Sequence, residues 1–206
     1  MEKTQRGRLI VFEGLDGSGK GTQIAMLEEA LRKQGRNVYV TAEPTASSTG
    51  GLLRDALGGH TRRDAYELSA LFLADRIFHN VNPVNGMEQY ISQGIDVLCD
   101  RYYYSSFAYQ GMDADLEWVM KLNLDCREIR RPDLCIFLDV SPQQCDERIA
   151  KGRLSREIYE TLETQQRIRA RFFEVFDLLG DTENIRIINA SRPADEIAGD
   201  IIRLLS

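Results

Sequence analysis

Short apolar runs alternate with longer stretches of helical periodicity along most of the chain. The apolar runs predict five strands, at Leu9 to Phe12, Val38 to Val40, Ile95 to Cys99, Leu134 to Val140 and Ile185 to Ile188. Helices are expected at Lys20 to Gln34, Asp64 to Asn80, Val84 to Gln93, Ala114 to Asp125, Pro142 to Ala150, Glu157 to Leu179 and Ala194 to Leu205. This alternation is typical of βαβ units, so we expect one three-layer α/β domain around a parallel sheet.

A glycine-rich segment directly follows the first predicted strand. It comprises Gly14, Leu15, Asp16, Gly17, Ser18, Gly19 and Lys20. Glycines let such a loop curl so that its backbone N–H groups point inward, and the following helix adds the positive end of its dipole. The segment therefore predicts a phosphate-binding loop in which Lys20 reaches the β- and γ-phosphates of a nucleotide. The alternative is a glycine-rich turn in an ordinary βα unit.

The residue after this lysine departs from the usual form of the loop. Gly21 stands where a serine or threonine hydroxyl normally joins the Mg²⁺ shell, and Thr22 follows one place late. The run from Gly19 to Gln23 resembles the phosphate loop of adenylate kinases, which implies that water and the phosphates hold most of the Mg²⁺ shell. The departure bears on coordination of Mg²⁺ by a hydroxyl, and it leaves phosphate binding unaffected.

Polar residues also follow the second and third predicted strands, at the edge where open α/β sheets bind ligands. Glu43 and Pro44 come after the second strand, and Asp100 and Arg101 after the third. Asp100 can hold Mg²⁺ directly or through water, and Arg101 can bind a phosphate with two parallel hydrogen bonds. The alternatives are a solvated acid at Glu43 and a local ion pair between Asp100 and Arg101.

Two further groups of residues permit either a functional or a purely structural interpretation. Phe72 and Arg76 are four residues apart on a predicted helix, so they either grip a planar base together or form a core ring beside a surface charge. The basic segment from Lys151 to Arg156 stands between two helices and is either a closing lid or a solvated helix end. We assign the downstream series Arg167, Arg169 and Arg171 to a solvated face or to ion pairs.

Composition narrows the class of protein. The 206 residues are 43% hydrophobic and 28% charged, which is ordinary for a globular domain. The net charge of −6 argues against a nucleic-acid partner, so local arginines must meet any anionic ligand. We expect neither a membrane span nor a signal peptide, and hence a cytoplasmic protein. The histidines His60 and His79 are expected to be structural. The four cysteines are expected to be buried and reduced, and they are Cys99, Cys126, Cys135 and Cys145.

Several segments of the chain, taken in order, resemble thymidylate kinases. They are Phe12 to Lys20, Glu43 to Thr45, Leu71 to Arg76, Asp100 to Tyr102, Ala108 to Gln110, Arg131 to Leu134 and Leu138 to Val140. The resemblance covers nearly the whole chain and implies transfer of the γ-phosphoryl group of ATP to dTMP with Mg²⁺, giving ADP and dTDP for dTTP synthesis. It also implies a P-loop NTPase fold, with a five-stranded parallel sheet and helices on both of its faces. The chain would form a single domain, 1–206, with a short lid at about residues 150–157, and would assemble as a homodimer.

The same resemblance implies roles for individual residues. The loop from Gly14 to Thr22 is assigned to ATP, and Asp100 is assigned to Mg²⁺. The residues assigned to catalysis are Asp16, Lys20, Arg101 and the lid residues Arg153 and Arg156. Those assigned to dTMP are Glu43, Pro44, Arg54, Phe72, Arg76, Arg101, Ser106, Tyr109 and Gln110. Among these, Phe72 would stack on thymine, Arg76 and Arg101 would hold the acceptor phosphate, and Tyr109 would crowd the 2′ position. Because the loop itself carries no arginine, the lid would supply that charge.

Three other functions stay open at this stage. A kinase for another nucleoside monophosphate would share the fold and differ in a few side chains of the base pocket. A nucleotide-binding switch of the GTPase type would need an Asn-Lys-x-Asp segment, which the sequence lacks. The third is a degenerate kinase that binds nucleotides without turnover, in which case Gly21 would indicate the loss of catalysis.

Overall fold

The computed structural model describes residues 6–152, 159 and 161–205 of the chain. Five parallel strands form one sheet in the order β2-β3-β1-β4-β5. The strands are β1 Leu9–Glu13, β2 Val38–Ala42, β3 Asp96–Asp100, β4 Leu134–Asp139 and β5 Ile185–Asn189. The helices of the described residues are α1 Lys20–Lys33, α2 Ser48–Leu57, α3 Ala65–Val81, α4 Met87–Ser92, α5 Tyr103–Tyr109, α6 Leu116–Leu124, α7 Pro142–Gly152, α8 Leu162–Leu179 and α9 Ala194–Arg203. The expected α/β fold with a five-stranded parallel sheet is confirmed.

Burial follows the position of each strand in the sheet. Every residue of the central strand β1 is buried, and so are all residues of β3 and β4 except the last of each. A parallel strand with neighbours on both sides and helices packed over the sheet has no solvated face, which explains its continuous apolar sequence. The edge strands β2 and β5 are only partly buried. The core therefore centres on β1, from which the glycine-rich loop leaves.

The strand register aligns the carboxyl ends of three strands. Asp100 at the end of β3 pairs with Phe12 of β1 on one side and with Ala42 of β2 on the other. The segments that follow these strands therefore start at the same level of the sheet. This alignment brings together the glycine-rich loop, Glu43 and Arg101, which are far apart in the sequence.

Two helices of the structure are absent from the sequence-based prediction. Helix α2 begins with Ser, Thr and two Gly residues, which are weak helix formers. Tertiary contacts compensate, because the Ser47 hydroxyl accepts a hydrogen bond from the Gly50 N–H and Leu53 packs with Leu68 of α3 in a small buried cluster. Helix α5 is rich in aromatic residues, and its N-terminal N–H groups are bound by Glu13 of β1. That capping residue is distant in the sequence and gives no local signal.

The expected helix ends are mostly correct, and two helix starts need correction. Helix α4 begins at Met87 rather than at Val84, because the Asn82 side chain accepts hydrogen bonds from the Val84 and Asn85 N–H groups and forms a turn there. The expected start of helix α8 at Glu157 is wrong, because the helix begins at Leu162 after its cap Thr161 and Tyr159 lies in a turn. Glu157 itself lies outside the described residues.

Three of the four cysteines match the expectation of buried, reduced thiols. All four cysteines are free, and three of them are buried while Cys126 is half-buried. Among the helices of the described residues, none has both the length and the apolar composition needed to cross a membrane.

Candidate active site

A cavity of about 640 Å³ opens at the carboxyl ends of β1, β2 and β3. Most of the residues selected from the sequence line it, namely Asp16, Gly17, Gly19, Lys20, Gly21, Thr22, Glu43, Pro44, Arg54, Phe72, Arg76, Asp100, Arg101, Tyr109 and Gln110. Gly14, Leu15, Ser18 and Ser106 do not line it. The cavity also contacts Ala42, Leu57, Tyr102, Ser105 and Tyr159, which the sequence-based assignment omits.

The glycine-rich loop has the backbone shape that a phosphate-binding loop requires. Gly14, Gly17 and Gly19 have φ angles of 145°, 80° and 99°, which side chains strongly disfavour. A Cβ atom on Gly17 would lie 2.6 Å from the Cys145 carbonyl oxygen, so only glycine fits there. Helix α1 begins directly after Gly19 without a side-chain cap. Its first N–H groups therefore point to the loop, where they can bind an anion.

Lys20 lies at the base of this loop with 7% of its surface exposed. Its Nζ donates to the carbonyl oxygens of Gly14 (3.3 Å) and Leu15 (3.2 Å) and is 4.0 Å from Asp100 Oδ1. Burial lowers the pKa of Lys20, and the charge of Arg101 adds to this effect, while nearby carboxylates oppose it. The ammonium group is thus a desolvated cation within the loop. A phosphate oxygen bound by the loop would be its strongest partner.

Arg101 occupies a strained backbone position beside the loop. Its φ angle of 67° is in the left-handed region, which is uncommon for any residue except glycine. The guanidinium donates to Gly14 O (3.2 Å), Ser105 Oγ (3.0 Å) and Asp16 Oδ1 (2.7 Å). It also lies over the Tyr109 ring, 5.2 Å from the centroid. Arg101 therefore pairs with Asp16 across the cavity rather than forming the local ion pair with Asp100.

Asp100 fits the role of a magnesium-binding residue. Its Oδ1 atom is buried and accepts no hydrogen bond from the described residues, and it lies next to Lys20 at the loop. Mg²⁺ prefers carboxylate, phosphate and water oxygens, so this oxygen can hold the ion directly or through a water molecule. Gly21 and Thr22 are exposed on the wall of the same cavity.

The other half of the cavity is aromatic. Phe72 is half-buried there, and the rings of Tyr109 and Tyr159 meet edge to face with their centroids 5.2 Å apart. Tyr159 hydrogen-bonds to Gln110, and burial raises the pKa of this tyrosine. The sequence places Tyr159 in the helix expected from Glu157 onward, and nothing in that pattern marks it as a cavity residue.

Arg76 and Glu43 form a buried ion pair below this aromatic wall. Both side chains are 1% exposed, so neither the surface arginine nor the solvated acid considered from the sequence is present. The Arg76 Nε donates to Glu43 Oε2 at 2.8 Å. The two terminal nitrogens donate to Asn123 Oδ1 (2.5 Å) and Ser106 Oγ (3.1 Å). Ser106 therefore reaches the cavity wall through Arg76, and Asn123 is a partner that sequence reasoning missed.

Asp75 fixes the loop after β2 to helix α3. Its carboxylate accepts hydrogen bonds from the Thr45 N–H (2.7 Å), the Thr45 hydroxyl (2.6 Å) and the Ser47 hydroxyl (2.7 Å). On the other side of the loop, Arg54 donates to the carbonyl oxygens of Pro44 (3.3 Å) and Thr45. The loop is thus held from two directions at the cavity wall.

The expected lid arginines, Arg153 and Arg156, lie outside the described residues. Nearby, Arg148 of α7 donates to the carbonyl oxygens of Gly17 and Ser18, both at 3.3 Å, and supports the glycine-rich loop in a way that the sequence did not indicate. Arg169 of α8 forms a two-pronged ion pair with Asp139 at 2.7 and 2.8 Å, as expected for a structural arginine.

Glu13 is a buried acid between the central strand and the cavity. Its carboxylate accepts hydrogen bonds from the N–H groups of Tyr102 (2.8 Å) and Ser105 (3.1 Å) and from the Ser105 hydroxyl (2.6 Å). Burial raises the pKa of Glu13 to about 7, although the Arg101 charge and these hydrogen bonds act in the opposite direction. Through Ser105, Glu13 is connected to the guanidinium of Arg101.

A buried strand, a loop with left-handed glycines, a buried lysine and an uncapped helix N-terminus together define a P-loop nucleotide-binding protein. Comparison with known proteins specifies the family. The family model described as thymidylate kinase matches residues 12–201. A curated relative in Pyrococcus abyssi, "Probable thymidylate kinase", is 37% identical over 97% of this chain and 96% of its own length. Its counterpart in Pyrococcus horikoshii, described in the same words, is 36% identical over the same shares of the two chains.

A solved structure shows the same fold. Thymidylate kinase from Candida albicans superposes with a TM-score of 0.83 at 23% identity, covering 97% of this chain and 91% of the other. The chain therefore belongs to the thymidylate kinase family, the ATP-dependent enzymes that phosphorylate dTMP to dTDP.

The raised pKa of Glu13 predicts that the stability of the protein falls as pH rises. Between the ordinary glutamate value of 4.5 and the folded-state value of about 7, the folded chain binds more protons than the unfolded chain. The free energy of unfolding therefore decreases with pH in this window. Glu13→Gln keeps a neutral acceptor for the α5 N–H groups, so its free energy of unfolding should not fall in this window. As pH rises from 4.5 to 7, the variant should therefore become about 1 to 3 kcal/mol more stable relative to the original protein. Urea unfolding of both proteins measures this difference, and parallel pH curves would contradict it.

Proposed function

We propose that this cavity is the active site, with the phosphates of ATP on the loop from Gly14 to Thr22 and dTMP between the aromatic wall and the arginines. The observation that carries the proposal is that the loop lysine and the guanidiniums of Arg76 and Arg101 border one continuous cavity. Phosphoryl transfer needs donor and acceptor in line, with their charge neutralised, and little covalent chemistry. A single cavity lined by these cations meets that requirement.

The acceptor in this reaction is a phosphate oxygen that is ionised near neutral pH. Proton removal is therefore not required, and the work of the protein is to bring two anions together. Lys20 and Arg101 would neutralise the phosphates, and Asp16 would hold Arg101 in position near the acceptor sugar and phosphate. Mg²⁺, when bound, would offset the charge of the phosphate oxygens, with Asp100 as the residue that holds it directly or through water.

The base and sugar of dTMP would occupy the aromatic half of the cavity. Phe72 would stack on thymine, and Ser106 would face the edge of the base. Arg76, which donates to Ser106, would hold the acceptor phosphate together with Arg101 and would also meet a base carbonyl. Tyr109 is packed against Arg101 and would leave little room for a 2′-hydroxyl group. Glu43, Pro44, Arg54 and Gln110 complete the wall.

Two variants separate the two halves of the proposed site. Lys20→Ala should abolish ADP release and leave calorimetric binding of dTMP largely intact, because it removes a charge from the donor side alone. Phe72→Ala should raise the KM for dTMP by about 10- to 100-fold through loss of base stacking. ADP release is measured with dTMP, dUMP, dCMP and AMP, with an acceptor-free control and with EDTA to remove Mg²⁺.

In this assay the original protein should prefer dTMP, and EDTA should reduce ADP release to the acceptor-free level. Undiminished turnover by Lys20→Ala would disprove the donor site. A preference for another monophosphate would keep the donor site and disprove the roles of Phe72, Arg76 and Ser106.

We also propose that the basic segment closes over the transferred group. Arg153 and Arg156 would supply the positive charge that the phosphate loop lacks, and closure would exclude water from the phosphoryl group. Arg153→Ala or Arg156→Ala should lower kcat by about 10³, the lower end of the effect of arginine fingers. Steady-state kinetics of both single variants and of the double variant provide the test, and unchanged kcat in all three would contradict it.

A homodimer is proposed on the basis of an exposed apolar stripe on α3. Tyr66, Ala70, Ala74, Phe78 and Val81 are spaced three or four residues apart and are all exposed, so they share one face of the helix. Such a face is typical of a contact between subunits. Sedimentation equilibrium should give twice the 23.5 kDa chain mass, and Phe78→Glu should give the monomer. Val84→Glu, at an exposed position outside α3, is the control and should stay dimeric.

The remaining expectations concern the extent of the domain and its location. The family match over residues 12–201 supports a single kinase domain across the chain, with its lid at about residues 150–157. Four free cysteines support a cytoplasmic location, since reducing compartments keep thiols unpaired.

A further inference from the structure

Next to the cavity, strand β2, the residue that follows it and helix α3 form a chain of four polar side chains, of which Arg76, Glu43 and His79 are buried and Thr41 is half-buried. Arg76 binds Glu43 Oε2, and the other carboxylate oxygen, Oε1, lies 3.0 Å from His79 Nδ1. The second nitrogen of that histidine, Nε2, lies 2.8 Å from the Thr41 hydroxyl. Arg76 borders the cavity, whereas His79 and Thr41 lie behind it. His79 therefore touches the cavity only through Glu43.

The donor and acceptor roles in this chain follow from the charges. Glu43 faces a guanidinium and so is a carboxylate, which can only accept hydrogen bonds. His79 Nδ1 must then carry a hydrogen atom and donate a hydrogen bond to Glu43 Oε1. In the neutral ring Nε2 is an acceptor, and the Thr41 hydroxyl donates to it. Thr41 thus selects the tautomer in which the histidine can hold the glutamate.

The geometry of Arg76 depends on this arrangement. Its guanidinium lies over the Tyr102 ring and donates to three described side chains, Glu43, Asn123 and Ser106, of which only Glu43 carries charge. A carboxylate held at only one of its oxygens can rotate about its terminal bond, and the guanidinium plane would rotate with it. His79 holds the second oxygen and removes that freedom.

We propose that His79 is a positioning residue for the acceptor nucleotide. It locks the Glu43 carboxylate, and through it the plane of Arg76 that meets dTMP. The inference rests on the proposed acceptor role of Arg76. It assigns to His79 a function beyond packing in the core, and to Thr41 the selection of the histidine tautomer.

Two substitutions at the same buried position test this assignment. Asparagine places an amide N–H near the position of Nδ1 and can still donate to Glu43, whereas glutamine places its amide near Nε2 and cannot. His79→Gln should raise the KM for dTMP about tenfold, as expected for loss of a hydrogen bond to a charged group. His79→Asn should keep the KM for dTMP within about twofold of that of the original protein. The kcat and the KM for ATP should stay nearly constant in both variants.

The thermal midpoints of the two variants separate positioning from stability, because both leave a similar cavity in the core. Similar midpoints with different KM values for dTMP support the proposal. Equal KM values for dTMP in both variants would overturn it and leave His79 as a core residue.

Two controls complete the experiment. Arg76→Met tests the acceptor site itself, since an unchanged KM for dTMP in that variant would disprove the proposed site, whatever His79 does. A raised KM in Arg76→Met together with no effect of His79→Gln would overturn only the role of His79. If the His79 variants do not fold, Thr41→Val should raise the KM for dTMP about threefold and Thr41→Ser should restore it. Equal KM values in the two Thr41 variants would then overturn the proposal.

Discussion

Charged side chains buried at one edge of the sheet determine the architecture of this site. Lys20, Arg76 and Arg101 are largely removed from water, and a buried charge is costly unless a partner is fixed nearby. The partners come from other elements, with Glu43 following β2 and Asp16 within the glycine-rich loop. Arg76 and Arg101 are therefore held by acids from elsewhere in the chain, Lys20 is held mainly by loop carbonyl oxygens, and the folding of the sheet sets the distances between the cations.

This arrangement explains how a chain with a net charge of −6 can bind two highly charged nucleotides. The positive charge is concentrated in one cavity, where low polarity strengthens each interaction with a phosphate. Because the guanidiniums are already oriented by hydrogen bonds, little further ordering is required when an anion arrives. The acids that hold them also limit nonspecific attraction, since the local charge is partly neutralised.

The sequence was sufficient to predict the fold and most of the cavity wall. Continuous apolar runs identified the strands, and the glycine-rich segment located the phosphate loop. The missing parts depend on distant contacts. Helix α5 receives its cap from Glu13, Arg76 is oriented by Asn123, and Tyr159 borders the cavity from a turn where the sequence predicted a helix. Local sequence signals carry no information about such partners, so only the folded chain reveals them.

The edge-to-face contact between Tyr109 and Tyr159 has a thermodynamic consequence. Tyr159 follows the basic segment in the sequence, yet its ring borders the cavity beside Phe72 and Tyr109. A ligand in that half of the cavity would therefore contact a side chain that comes shortly after the basic segment in the sequence. If such a ligand favours one position of the Tyr159 ring, then reciprocity of binding requires that this position favours the ligand by the same factor. Affinity in the aromatic half of the cavity is in this way linked to the position of a single ring.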